Sequence, residues 1–250
     1  MSEPEADMGQ PESDPFFGVY DRDDIAYGTK ASRAIDSFLE QCGLDSGRAL
    51  DLGAGAGRDT ISLARRGLQV RAVDLSQRGL HRIEQRAEAA GVRSNVKTDW
   101  SDVRELDLPA DTYDVVVATT VLDHIPSADA DALFARVAAS LTDRGVLYVE
   151  VHTSEDPGSG VEPGLSSEAA VSETAGAVIN YFQPNRLVRL ASEPIHRLRA
   201  LFYEERREWD YTHGPEHQHG KAILLAVRSG YHPDWFGVSR PFPRNPESSA

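Results

Sequence analysis

The stretch Ala49-Leu50-Asp51-Leu52-Gly53-Ala54-Gly55-Ala56-Gly57 decides the fold. A short apolar run carries one acid, Asp51, and then breaks into three glycines at alternate positions. Such a run reads as a buried strand that stops abruptly. The glycines let the backbone turn tightly and let a ligand approach it with no Cβ in the way. Arg58-Asp59-Thr60-Ile61-Ser62-Leu63-Ala64 then reads as the opening of a helix. A glycine loop between a strand and a helix N-terminus points to a nucleotide-type ligand; the alternative is a glycine turn with no ligand. Spacing narrows the choice. A dinucleotide loop needs G-x-G-x-x-G. Here the third glycine would fall at Arg58 when counted from Gly53, and at Thr60 when counted from Gly55. Asp51 would also repel a pyrophosphate, whereas it suits an ammonium group.

The residues downstream continue the pattern. Gln69–Asp74 is a second strand candidate that ends in an acid. Asp74 lies about twenty residues past the loop, where such folds place a carboxylate on ribose hydroxyls. Asp74 is alternatively an N-cap, because Ser76 and a helical Gln77–Ala90 follow. Val92–Thr98 reads as a third strand, followed by Asp99-Trp100. Thr112–Thr119 is a fourth, and its valine run suits a strand buried on both faces. Ala128–Leu141 is an amphipathic helix with Ser127 as its N-cap, and Arg144–Val151 is a fifth strand. The alternation predicts an α/β fold: an open, mostly parallel sheet with helices on both faces. In such sheets the ligand crevice lies at the carboxyl ends of the strands. Asp51–Gly57, Asp74, Asp99 and Thr119–His124 all fall at such ends.

The D-x-G-x-G-x-G loop, Asp74, Asp99-Trp100 and the Y-D-V-V-x-A…V-L-x-H-I-P run from Tyr113 to Pro126 together resemble the class I S-adenosylmethionine (SAM) methyltransferases. SAM carries an ammonium, a carboxylate and a sulfonium, and no phosphate. The resemblance implies that Asp51, Gly53, Ala54, Gly55 and Gly57 cradle the cofactor, with Asp74 and Leu75 at its ribose. It implies that Asp99 accepts from the adenine amino group and that Trp100 packs on the ring, unless Trp100 is ordinary core. Thr119 would touch the methionyl part. His124 would sit at the substrate mouth, unless it is a surface histidine. An N-terminal aromatic segment would supply Tyr20 and Tyr27 as a lid; the alternative is a packed anchor for the helix Arg33–Gln41. The run Tyr27–Ser32 is similar to the Y-G-T-x-P-S segment of small-molecule methyltransferases, with Ala31 where proline is usual.

In the second half, Tyr181-Phe182-Gln183-Pro184 leads into a helix, Asn185–Ser192, with Pro184 at N1. His196–Trp209 and Ala222–Val227 read as the closing strands; class I methyltransferases end with such an antiparallel pair, so the resemblance implies a Rossmann-like sheet of about seven strands, mostly parallel with the last antiparallel. The pattern Y-F-x-P-x-x-L…F…E…H…A-x-L-L-A-x-R is similar to the tellurite-resistance and thiopurine-type small-molecule methyltransferases, over about Phe16 to Arg228. In the tellurite-resistance group a His followed by Arg lines the pocket. His213 matches that His, but Gly214 replaces the Arg, which speaks against tellurite. The expected reaction is in-line methyl transfer to a small-molecule acceptor: a thiol, a metalloid oxyanion or another small nucleophile. An oxygen or nitrogen acceptor would use His124 or His213 as its base. Besides an NAD enzyme, the weakest rival, two alternatives stay open. One is a SAM-binding or regulatory protein without catalysis. The other is a metal-binding module on the hairpin of His213, His217 and His219 with Asp210 and Glu216, since imidazole and carboxylate suit Zn, Ni or Fe; no metal ligand is assigned. His217 and His219 would point the same way on a strand.

The whole chain bounds these expectations. Its 250 residues suit one large domain with extensions. Residues 1–14 form an acidic tail expected to be disordered. The methyltransferase domain spans 15–230 with an inserted loop at 153–180, and 231–250 is a C-terminal extension. The net charge of −14 argues against a nucleic-acid partner. No apolar stretch approaches a membrane span or a signal-peptide core, so a cytoplasmic protein with no membrane partner is expected, as monomer or homodimer. Cys42 is the only cysteine, which rules out an internal disulfide and a multi-cysteine metal site.

Overall fold

The computed structural model describes residues 30–160, 170–171, 178–210, 216–235 and 237, with backbone alone at 170–171 and 178–179. The described residues include neither the acidic tail nor Tyr20, Tyr27 and His213, and they hold only parts of the inserted loop and the C-terminal extension.

Five parallel strands follow in chain order, joined by helices except between the third and fourth, where a loop connects them: β1 (Arg48–Leu52), β2 (Gln69–Asp74), β3 (Val96–Trp100), β4 (Tyr113–Thr119) and β5 (Leu141–His152). The inserted segment carries a two-stranded ribbon, β6 (Ala170–Val171) with β7 (Val178–Ile179). The long pair β8 (Leu198–Asp210) and β9 (His217–Arg228) completes a seven-stranded sheet in the order β3-β2-β1-β4-β5-β9-β8. β9 pairs antiparallel with both neighbours, so it alone runs against the sheet. The chain winds outward from β1 to β3 and then crosses back to β4, which makes the β1/β4 boundary the topological switch point.

Alternate residues of each strand feed two cores. Leu50, Leu52, Val116, Leu147, Leu224 and Ala226 pack under helices α4 (Ser127–Ser140) and α5 (Arg186–Ala191). Val70, Ala72, Val115, Val117, Tyr148 and Ile223 pack under α1 (Arg33–Gln41), α2 (Arg58–Arg65) and α3 (Gln77–Ala89). Covering both faces is what the near-continuous apolar strands require. A fully buried leucine such as Leu50 is worth about 2–5 kcal/mol against truncation to Ala.

Several boundaries differ from expectation. Gly91 adopts φ +69° and ends α3, and Arg93–Asn95 tighten into a 3-10 turn. Strand β3 therefore starts at Val96 and takes Asp99 and Trp100 into the sheet. Ser127 is the first residue of α4 and Pro126 holds the cap position, with no side-chain cap bond. Asn185, at φ +62°, precedes α5, so Pro184 lies outside that helix. Ser76, not Asp74, caps α3, accepting from Gly79 N–H at 3.1 Å. Strand β9 begins at His217, well before its apolar part, because its polar residues still complete the ladder with β8. The inserted segment leaves and returns at one point: Thr153 bridges Phe182, and Ser154 N–H donates to the Phe182 carbonyl at 3.0 Å.

Candidate active site

The glycine loop sits at the switch point. Gly53 adopts φ +62°, and a Cβ there would meet Val121 Cγ2 at 2.2 Å. Gly57, at φ +85°, precedes α2, and its Cβ would meet Ile83 Cγ1 at 2.7 Å. Both positions demand glycine by conformation and by space. The loop is pinned from outside. Ala54 N–H donates to the Val73 carbonyl at 3.0 Å, and Arg86 of α3 donates to the Ala56 carbonyl.

Three buried carboxylates surround this loop. Asp51 ends β1 and accepts from the Thr60 hydroxyl at 2.5 Å. Burial and the nearby Asp59 push its carboxyl up to about 8, against the Thr60 hydrogen bond. Asp59 lies in the first turn of α2. One of its oxygens accepts from Arg58 Nη2 and from the Thr119 hydroxyl, each at 3.1 Å. Its Oδ1 is buried with no hydrogen-bond partner among the described residues. Burial raises its pKa despite the Arg58 guanidinium. Asp74 accepts from Gly55 N–H and from Ser76 N–H, both at 2.7 Å, so it ties the loop to the end of β2. Buried acids that lack full pairing are costly in a stable core. Their concentration at a switch point marks a site for a cationic ligand. The residues present fit the SAM ammonium: an orphaned carboxylate oxygen, a Cβ-free loop and buried acids that a bound cation would ionise.

The outer end of this crevice is apolar. Trp100 is 63 % exposed and Leu75 45 % exposed. The indole N–H donates to the Leu75 carbonyl at 2.8 Å, which fixes the ring beside the end of β2. Trp100 is therefore not core. Asp99 pairs with Arg71, at 2.9 Å from Nε and 2.5 Å from Nη2.

On the other side of the glycine loop lies a polar region at the ends of β4, β5 and β9. Thr120, at φ +51°, is a β-branched residue in the left-handed region; such strain collects at functional sites. A short 3-10 turn, Leu122–His124, follows. Asp123 is fully buried, and its Oδ2 accepts from His152 N–H at 2.9 Å and faces His152 Nδ1 at 2.5 Å. Burial favours the neutral acid here, but the His152 hydrogen bond outweighs it and holds the carboxyl low. Burial, with Lys221 nearby, lowers the His152 pKa. The pair is thus a carboxylate and a neutral imidazole that donates from Nδ1 and keeps a lone pair on Nε2. The His124 ring stands 6.3 Å from His152. Below them Glu150 accepts from the buried Tyr148 hydroxyl at 2.9 Å and lies 3.8 Å from Lys221 Nζ. A cleft of about 250 Å³ opens beside Arg58, lined in part by Lys30, Glu150, Glu204, Arg206 and Glu208.

The structure brings together Asp51, Gly53, Ala54, Gly55, Gly57, Asp74 and Thr119, and sets Leu75, Asp99 and Trp100 at the crevice's outer end. His124 stands apart from the loop, beside His152. Sequence reasoning missed Asp59 and the Asp123–His152 pair. Asp59 was visible as an acid in the first turn after the loop; nothing local marked His152.

Residues 49–145 match a family described as a methyltransferase domain. Over 108 residues the chain is 34% identical to the ubiquinone biosynthesis O-methyltransferase of Hahella chejuensis, covering 42% of this chain and 44% of that protein. The chain spans less than half the length of the curated relatives it matches first. A solved structure of Burkholderia thailandensis 1,6-didemethyltoxoflavin-N1-methyltransferase, with bound 1,6-didemethyltoxoflavin and S-adenosylhomocysteine, superposes with a TM-score of 0.57 at 21% identity, covering 77% of this chain and 75% of that one. TehB from Haemophilus influenzae superposes at 0.60 and 17% identity, over 85% and 65%. The fold is that of the class I SAM-dependent methyltransferases.

Proposed function

We propose that the protein transfers a methyl group from SAM to a nucleophilic atom, most simply a hydroxyl oxygen, of a small-molecule acceptor. One juxtaposition carries this reading. A crevice suited to a cationic cofactor meets, at the ends of β4 and β5, a neutral histidine oriented by a buried carboxylate. Bound there, the cofactor supplies an electrophilic methyl group on its sulfonium. The chain's residues do the rest. Asp59 and Asp51 hold the ammonium, Asp74 and the glycine loop hold the ribose end, and Trp100 with Leu75 holds the adenine. His152 Nε2 takes the acceptor proton while Asp123 fixes the ring and stabilises the imidazolium. His124 borders the same mouth. The acidic balance disfavours a nucleic-acid acceptor, and among the described residues no helix is long and apolar enough to cross a membrane.

The test is calorimetric SAM binding followed by S-adenosylhomocysteine release across a panel of phenols, other hydroxyls, thiols, metalloid oxyanions and amines. Binding with turnover of a hydroxyl acceptor is expected. Binding with no turnover of any class would make this a SAM-binding protein without catalysis, and absence of SAM binding would overturn the site.

A further inference from the structure

The sheet face that carries Glu150 and His152 continues along β9 into three more ionisable residues, and their placement is specific. His217 and His219 stand two apart on β9, so both side chains leave the same face. Asp210 is the cross-strand partner of His217 on β8. The three groups converge. His217 Nε2 lies 2.9 Å from His219 Nε2, and Asp210 Oδ2 lies 3.8 Å from the same His219 nitrogen. We propose that Asp210, His217 and His219 form a binding site for one divalent transition-metal ion of the zinc class.

Two features argue for a built site over a polar turn. First, His219 Nδ1 faces Asp156 Oδ2 at 2.9 Å. That carboxylate is nearly buried and is itself fixed by Gly158 N–H at 2.7 Å and Gly220 N–H at 3.0 Å. It sets the His219 proton on Nδ1 and turns the Nε2 lone pair toward His217 and Asp210. A carboxylate behind a histidine ligand is the usual means of orienting it and raising its basicity. Second, this arrangement demands Gly220. A Cβ there would meet Asp156 N at 2.4 Å, so only glycine lets the segment after β5 lie close enough to place Asp156 on His219. Two ligands at metal–nitrogen distances of about 2.0–2.1 Å and a tetrahedral angle stand roughly 3.3 Å apart. The two Nε2 atoms need to open by only a few tenths of an ångström, with the His217 proton moving to Nδ1. Two imidazoles and one carboxylate suit zinc, nickel or iron(II) over magnesium or calcium. Glu216, exposed at the turn, is not in the cluster.

Three protein ligands leave a fourth position for water or an acceptor atom. Glu208, the cross-strand partner of His219, lines the cleft beside Arg58, so the ion stands at the rim of the acceptor region. That last step rests on the proposed methyl transfer; the metal site does not.

The test uses untagged full-length protein, Zn(II) alone and Co(II) as its spectroscopic probe. After dialysis, one equivalent of zinc per chain is expected, with tetrahedral visible bands for Co(II). X-ray absorption of the zinc-loaded wild type should show two imidazoles with oxygen completing the shell. His217→Ala or His219→Ala should weaken binding by more than tenfold, Asp156→Asn by about 10–100-fold, and His81→Gln, an exposed histidine on α3, should change nothing. Substoichiometric zinc, a shell without two imidazoles, or unchanged affinity in the His217 and His219 variants overturns the site. SAM affinity and turnover are measured separately on the metal-free protein, so a failed methyl transfer and a failed metal site give different results.

Discussion

The half of the molecule from β1 to β4 and the half built from β5, β8 and β9 solve different problems. In the first, the groups around the glycine loop sit at strand ends, in the turns after them or in the first turn of α2, and the bonds that pin the loop span modest separations, although Thr119 reaches Asp59 across sixty residues. Thr60 to Asp51 is nine residues, and Gly55 to Asp74 is nineteen. In the second, the partners come from distant segments. His152 meets Asp123 across twenty-nine residues, and His219 meets Asp156 across sixty-three. On the proposed reading, the first half holds the cofactor. The second is assembled only by tertiary packing, which leaves it free to accept different chemistry on the same frame.

If the halves divide the labour in this way, their mutations should separate. The largest effect belongs to the acceptor half. His152→Gln removes the base but keeps the Asp123 contact within reach, and turnover should fall about 100- to 10,000-fold with SAM affinity unchanged by calorimetry. The wild-type rate should rise with pH through the lowered His152 pKa and then level, because the neutral ring is the active form. Equal loss of SAM affinity and turnover would show that His152 belongs to the cofactor half.

The next largest effect belongs to the cofactor half. Asp59→Asn keeps the hydrogen bond from Thr119 and removes the charge. A charge-assisted bond is worth about 1.5–3 kcal/mol, so SAM affinity should fall roughly 10- to 100-fold while turnover at saturating SAM stays near wild type. A variant that binds SAM normally would remove Asp59 from the site and leave its buried Oδ1 unexplained.

Legibility follows the same division. The places of Asp51, the three glycines and Asp74 at the ends of successive parallel strands could be read because strand–loop–helix spacing is local and the glycines have conformations few other residues adopt. Asp99 was legible by position but not by partner: nothing local says that Arg71, on the neighbouring strand, reaches across to it. The Asp123–His152 pair was not legible. Asp123 read as the variable residue of a V-L-x-H-I-P run, and His152 fell just past the fifth strand as read, Arg144–Val151, so the eye fell on His124. Strand β9 was read too short because its first residues are polar, and the ladder partner that makes them a strand lies on β8. His217 and His219 were rightly placed on one face, but the carboxylate that orients His219 comes from the segment after β5. Tertiary distance hid these residues, since their types are ordinary for site chemistry.

A pH titration sharpens the cofactor half further. In the cofactor-free protein the Asp51 carboxyl is raised to about 8, against about 3.9 in an unfolded chain. Its contribution to stability is therefore fully present below the unfolded value and is lost as pH rises through about 8, because the unfolded chain releases the proton first. A bound ammonium favours the ionised form and reverses the sign. SAM affinity should rise up to about tenfold per pH unit below 8, with proton release visible as a buffer-dependent binding enthalpy. Asp51→Asn should flatten the profile. A flat profile in the wild type would mean that Asp51 is already ionised and that its burial is compensated elsewhere.

The smallest effect tests whether the crevice's outer end contributes affinity or only shape. Among the described residues Trp100 is the most exposed aromatic ring on the cofactor side, yet its indole N–H is committed to Leu75. An exposed ring held by its own hydrogen bond costs entropy unless something packs on it. If adenine is that partner, Trp100→Phe should keep most of the stacking and lose only the anchor, while Trp100→Ala should weaken SAM binding about threefold to tenfold, in line with an aromatic contact of about 0.5–1.5 kcal/mol. The fold should be indifferent to either change, since so little of the ring is buried. A Trp100→Ala protein with a lowered melting temperature and unchanged SAM affinity would make the ring a brace for the end of β2, and adenine recognition would then fall to Leu75 and the backbone.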